Sequence, residues 1–177
     1  IDQSPNCNEH SRALYSLEGE ADHNLSVLLG TLPIDTLMLN INGCYRYKED
    51  LLLRYSRLQH LDNNLAFTSV TTLSKLSLST LIVQSSSVTA NKKWMINFCS
   101  TDWANNQLTK LVFDMELSDN DIQFIASTFK YLTQFECTPG NANFTPLLQV
   151  PNIQKLHGGY LTLDKNQQLP PQLNDIQ

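Results

Sequence analysis

The sequence predicts an α/β solenoid, with short parallel strands on its concave side and helices or irregular segments on its convex side. Three observations lead there. A short phrase, apolar-x-x-apolar-x-apolar, recurs along the chain, opening at Ile34, Leu58, Leu73, Leu108, Leu132 and Ile153. Within its clearest unit the apolar spacing changes from two, one face of a strand, to three or four, one face of a helix. Leucine is also abundant, at 29 of 177 residues, while charged residues make up only 16%, against roughly 25% in an average soluble domain.

Taken in chain order, residues 1–24 read as an N-terminal cap, with a short helix around Ser11–Glu18. Ile34-Asp-Thr-Leu37-Met-Leu39 is the first strand phrase, with Asn42 three residues beyond its last leucine. Leu58-Gln-His-Leu61-Asp-Asn63 is weaker, because Asn63 takes a core slot, and Leu73-Ser-Lys-Leu76-Ser-Leu78 is regular again. Ser85–Asn106 exceeds ordinary loop length and is where a functional insertion is expected, with Trp94, Phe98 and Trp103 packing beneath it. Leu108-Thr-Lys-Leu111-Val-Phe113 alternates as a strand does. Leu117-Ser118-Asp119 and then Ile122, Ile125, Ala126 and Phe129 follow, the cap and inner stripe of an amphipathic helix. Leu132-Thr-Gln-Phe135-Glu-Cys137 opens the next unit, and Ile153-Gln-Lys-Leu156-His-Gly158 ends in glycine where an apolar residue is expected. Residues 30–165 thus hold the repeats of a single domain spanning 1–177. The Asn/Gln-rich 166–177, with Pro170-Pro171, reads as a C-terminal tail or cap.

The starts of the phrases are 24, 15, 35, 24 and 21 residues apart. The second and third together match two repeats of about 25, so an error of register between 58 and 108 is the simplest account of their inequality.

The pattern L-x-x-L-x-L-x-x-N/C resembles that of leucine-rich-repeat proteins. The 108–137 unit is similar to the cysteine-containing and ribonuclease-inhibitor-like subclasses found in F-box substrate receptors. It matches at Leu108, Leu111, Phe113, Leu117, Ser118, Asp119, Ile122, Ile125, Ala126, Leu132, Phe135 and Cys137. The resemblance implies stacked units sharing one core and a binding face made of strands. It does not specify a function, because such repeats serve many roles.

On this reading residues 37, 39, 76, 78, 111 and 113 point inward. The residues between them form the concave face, and Thr36, Met38, Asn40, Lys75, Ser77, Lys110, Asp114, Gln134, Glu136, Lys155 and His157 are the candidate partner-binding residues. Ser79, Val112 and Thr138 share that face. It is mixed in charge and poor in the aromatic and arginine anchors that usually dominate interfaces.

Composition and motifs narrow the function classes. The net charge is −5, which disfavours a nucleic-acid or anionic-membrane surface, and no run reaches the ~18 apolar residues of a membrane span. The chain opens on Ile1 without a signal-peptide core, which predicts processing or excision. No phosphate-binding glycine motif, Cys-x-x-Cys pair or H-x-x-x-H pair occurs, so neither a cofactor nor a metal is expected. His157-Gly158-Gly159 is similar to an esterase oxyanion loop, but no G-x-S-x-G accompanies it, and a glycine-permitted bend is the preferred reading. Asp114, Glu116, Asp119 and Asp121 read as a solvated acidic cluster favouring the following helix N-terminus. Cys7, Cys44, Cys99 and Cys137 allow either free thiols or two disulfides, and Cys137, on a core-facing position, should be buried and unreactive. Asn24 and Asn143 sit in glycosylation sequons. Compartment stays open, with cytoplasm preferred over secretion.

The expected function is a non-enzymatic recognition or scaffold module that binds a protein partner on the concave face, alone or as a subunit of a larger assembly. Resemblance to F-box proteins implies substrate selection, although no F-box segment occurs in the chain. Two alternatives stand beside it. One is an extracellular ligand sensor, suggested by the sequons and the even cysteine count. The other is an accessory or activator subunit, for example a GTPase activator, whose arginine would come from Arg12, Arg46, Arg54 or Arg57.

Overall fold

A computed structural model describes residues 14–18, 29–42, 49–64, 69–84, 88–103, 106–165 and 168–177; for 14–18, 42, 49–50, 63–64 and 88–91 it describes the backbone alone. The strands are β1 (Leu14–Glu18), β2 (Met38–Asn42), β3 (His60–Asn64), β4 (Thr80–Gln84), β5 (Lys110–Phe113), β6 (Gln134–Cys137), β7 (Lys155–His157) and β8 (Asp175–Ile176). They form one open sheet in chain order, β1 to β8, and every neighbouring pair is parallel. A parallel pair needs a crossover, so each connection returns across the sheet before the next strand is laid down. Helices Val70–Leu73, Val88–Ser100 and Asp119–Thr128 and the 3-10 turns Glu49–Arg54 and Thr145–Gln149 lie in these connections. Each helical segment packs on the next in chain order. This α/β alternation is compatible with a solenoid.

Pairing defines the core. Leu39, Leu61, Leu81, Leu111, Phe135 and Leu156 are mutual register partners across β2 to β7, and all six are fully buried. Ile41, Val83, Phe113 and Cys137 extend a second buried row. One apolar cluster holds these rows together with the inner faces of the helices. Ile176 continues the first row on β8, where it is 45% exposed because no ninth strand covers it among the described residues.

The register corrects two sequence phrases. The first begins at Thr36, not Ile34, because Thr36 closes a turn by donating its N–H and its hydroxyl to the Pro33 carbonyl, at 3.1 and 2.6 Å. Leu39 and Ile41 therefore fill the core slots, and Leu37 is half-buried just before the strand. The third phrase begins at Leu78, not Leu73. Leu73 ends a short helix capped by Ser69, whose hydroxyl accepts from the Thr71 N–H. Leu76 and Leu78 are buried in the turn that follows, and Thr80-Leu-Ile-Val, β-branched at Thr80, Ile82 and Val83, makes the strand. The phrases from Thr36 onward now start 22, 20, 30, 24 and 21 residues apart.

The 30-residue interval contains the largest departure from expectation. Residues 85–106 were expected as a long loop or insertion, but Val88–Ser100 is a helix. Trp94, Met95 and Phe98, at helical spacing, are its buried side. Phe98 contacts Trp103 at 4.8 Å, Phe113 edge-on at 5.5 Å and Phe129 at 5.7 Å between centroids. The Trp103 indole N–H donates to the Phe98 carbonyl at 3.0 Å. The interval is long because a 13-residue helix occupies it.

The next helix, Asp119–Thr128, is capped by Ser118. Its hydroxyl accepts from the Asp121 N–H while the Asp121 carboxylate accepts from the Ser118 N–H, a reciprocal capping box. Ile122, Ile125 and Ala126 are its buried face.

The N-terminal end differs from expectation. Leu14–Glu18 is strand β1, not a helix, with Tyr15 and Leu17 in register with the inward Leu39 and Ile41. The Asn/Gln-rich C-terminus contributes β8, and the Gly158 N–H donates to the Gln177 carbonyl at 2.8 Å. The bend at His157-Gly158-Gly159 requires both glycines. Gly158 has φ +107°, and a Cβ there would overlap the Cys137 carbonyl; one on Gly159 would overlap the Phe144 ring. No helix among the described residues is long and apolar enough to cross a membrane.

Candidate functional site

Strand side chains alternate between faces, so the register that buries one set aligns the other outward. One outward row runs Met38, His60, Thr80, Lys110, Gln134, Lys155, Asp175; the next runs Asn40, Asp62, Ile82, Val112, Glu136, His157. Of the candidate binding residues, Met38, Asn40, Lys110, Gln134, Glu136, Lys155 and His157 lie in these rows, and Asp114 follows β5 directly.

Three candidates do not. Thr36 is fully buried, its hydroxyl spent on the turn before β2. Lys75 and Ser77 are exposed, but they stand in the turn between the Val70–Leu73 helix and β4, away from the rows, because the phrase that placed them there was five residues out of register.

From β5 to β8 the outward charges are paired. Lys110 Nζ lies 3.6 Å from Glu136 Oε1, and Glu136 also accepts from the Gln134 side-chain amide. Asp175 Oδ2 lies 3.9 Å from Lys155 Nζ; His157 Nε2 is 3.1 Å from it without making a hydrogen bond. These half-exposed pairs hold side-chain direction more than they add stability.

Between β2 and β4 the arrangement is different. Asp62 is a carboxylate only 9% exposed, on the outward face, and its Oδ1 accepts from Gln84 Nε2 at 2.8 Å. Burial raises its pKa, opposed by the Gln84 hydrogen bond and by His60. Burial also lowers the pKa of His60, opposed by Asp62 and reinforced by Lys110. Across on β2, Asn40 Oδ1 is buried without a hydrogen-bond partner. Sequence reasoning missed His60 and Asp62 because Asn63 made their phrase look weak. The alternation that placed Lys110 and Glu136 outward would have found them from Leu61.

The remaining reactive groups are quiet or engaged. The Cys137 thiol is pushed up to about 11 by burial. Cys99 is pushed up to about 12 by burial, the Asp121 charge and an S–H···O contact of 3.7 Å to Asp121, so both thiols are protonated at neutral pH. Of the acidic cluster, Asp119 accepts from the Asn143 N–H at 2.8 Å and Asp121 belongs to the capping box. Asn143, half-buried, accepts from the Thr145 N–H and hydroxyl at 2.9 and 2.6 Å. Arg54 donates to the Gly30 carbonyl at 3.3 Å. Cys7, His10, Arg12, His23, Asn24, Cys44 and Arg46 lie outside the described residues. On the helical side, a cleft of about 390 Å³ opens between Trp103, Asn106, Phe124, Thr128, Lys130 and Tyr131.

Comparisons of the chain with protein-family models, with curated proteins and with solved structures found no match.

Proposed function

We propose that this chain is a leucine-rich-repeat module without catalytic activity that binds a protein partner on the outward, concave face of its parallel sheet. Support for the repeat comes from six phrases spaced by 20 to 30 residues, whose core slots are register partners from β2 to β7. One observation carries the binding role: the strands present two aligned outward rows, one across seven strands and one across six, of mostly polar and charged side chains with Met38, Ile82 and Val112 among them. Such a surface suits an extended protein contact better than enclosure of a small molecule.

The test exchanges the charges of one pair. A Lys110→Glu, Glu136→Lys variant keeps an ion pair across β5 and β6 while reversing the pattern shown to a partner. Affinity capture from native extract with mass-spectrometric readout should recover a partner with wild type and lose it with the variant. A partner held equally by both would move the interface off this face.

A further inference from the structure

We infer that the outward face takes its partner through a basic side chain, arginine or lysine, seated on Asp62 and Asn40 between His60 and Gln84. This inference rests on the recognition reading above and names the partner chemistry at one end of the same face. Of the carboxylates in the two outward rows, Glu136 has Lys110 and Asp175 has Lys155. Asp62, the most buried of the three, accepts only from the neutral amide of Gln84, and the cationic group felt beside it is His60, whose own charging is opposed by burial. Lys110, the lysine whose charge is felt at His60, is held 3.6 Å from Glu136.

Burying a carboxylate without a counter-charge is unfavourable, and so is burying an acceptor without a donor. Here the two occur side by side. Asn40 and Asp62 are register partners on adjacent strands, and Asn40 Oδ1 has no donor. Two acceptors at neighbouring-strand spacing, about 4.8 Å, lack a cation with several N–H groups. A guanidinium offers five donors in a plane and an ammonium three, so one such side chain satisfies both oxygens. An anion is repelled by Asp62, and an apolar group would leave Asn40 Oδ1 without a donor and Asp62 without a full counter-charge. The net charge of −5 favours the approach of a basic segment.

The test is an NMR titration of the isotope-labelled protein with argininamide, and with citrullinamide as its uncharged analogue. Argininamide should shift the side-chain amides of Asn40 and Gln84 and the His60 ring, saturably, and citrullinamide should not. Asp62→Asn should weaken the effect tenfold or more, and Asn40→Leu, which leaves the carboxylate in place, should weaken it to a lesser degree. Shifts absent from folded wild type, or equal in folded Asp62→Asn, overturn the inference. So does an Asn40 amide already hydrogen-bonded to Asp62 in the free protein. The two readings fail separately. Argininamide binding with no protein partner on the face removes the recognition module and leaves the cation subsite. A partner lost on the Lys110/Glu136 exchange but held unchanged by Asp62→Asn removes the subsite and leaves the module.

Discussion

The Thr133 hydroxyl donates to the carbonyl of Thr109, 24 residues earlier, at 2.9 Å. Thr109 donates in turn to the Ser79 carbonyl at 3.1 Å, and Ser79 to that of Gln59 at 3.0 Å. Each of those carbonyls also accepts two backbone N–H groups from the next unit; Thr109, for example, accepts from the N–H groups of Thr133 and Gln134 at 2.8 and 3.0 Å. The second position of the strand phrase is therefore a staple between successive units as well as a spacer between leucines.

Replacing Thr109 or Thr133 by valine, which keeps the shape and removes the donor, should lower stability by about 1 kcal/mol each. The carbonyl they leave still has its two N–H donors, so the loss should stay small. Urea denaturation measures it, and a serine variant should recover most of the difference.

Truncations test the register. Leu39→Ala, Leu111→Ala and Leu76→Ala each empty a buried site and should cost about 2–5 kcal/mol. Leu37→Ala, at a half-buried position before β2, should cost clearly less than Leu39→Ala. Equal losses at 37 and 39 in thermal melts would restore the phrase beginning at Ile34.

Gly158→Ala combines a left-handed backbone with overlap on the Cys137 carbonyl, and should cost about 3 kcal/mol or more. Gly30→Ala, where a Cβ meets nothing closer than the Arg54 side chain at 3.8 Å, should be nearly silent. Parallel melts of the two variants separate a required glycine from a permitted one.

Acidification should act through His60 and Asp62 in opposite senses. His60 has a lowered pKa in the folded chain, so its contribution is present above its unfolded value near 6.5 and is lost as pH falls through the folded value. Asp62 has a raised pKa, so its contribution is present below its unfolded value near 3.9 and is lost as pH rises through the folded value. Asp62→Asn should therefore be at least as stable as wild type at pH 7, with any advantage fading in acid. His60→Gln should reduce the loss of stability on going from pH 7 to pH 5. Thermal melts across that range read both.

The sequence was most legible where local signals agreed. In 108–137, strand alternation, the Ser118 cap and the 122, 125, 126, 129 stripe arrive in order, and the structure has a strand, a capped helix and a strand there. Legibility failed where apolar residues satisfied two registers at once. From 73 to 83 the leucines and Val83 fit the phrase starting at either 73 or 78, and only pairing with β3 and β5 decides between them. Trp94 and Phe98 carried a helical spacing that an unusually long interval disguised as a loop. Strands β1 and β8 were not legible because a five-residue and a two-residue strand depend on a neighbour for their hydrogen bonds, which no local propensity encodes. Asp62 stayed hidden because burial on an outward face is a property of its neighbours, not of its position in the phrase.

The most direct test of the binding face places a photo-crosslinking amino acid at Val112, outward on β5, and separately at Gln123, exposed on the Asp119–Thr128 helix, each in otherwise wild-type protein in native extract. The account predicts a protein adduct from position 112 and none from position 123. An adduct from 123 alone would contradict it and assign recognition to the helical side.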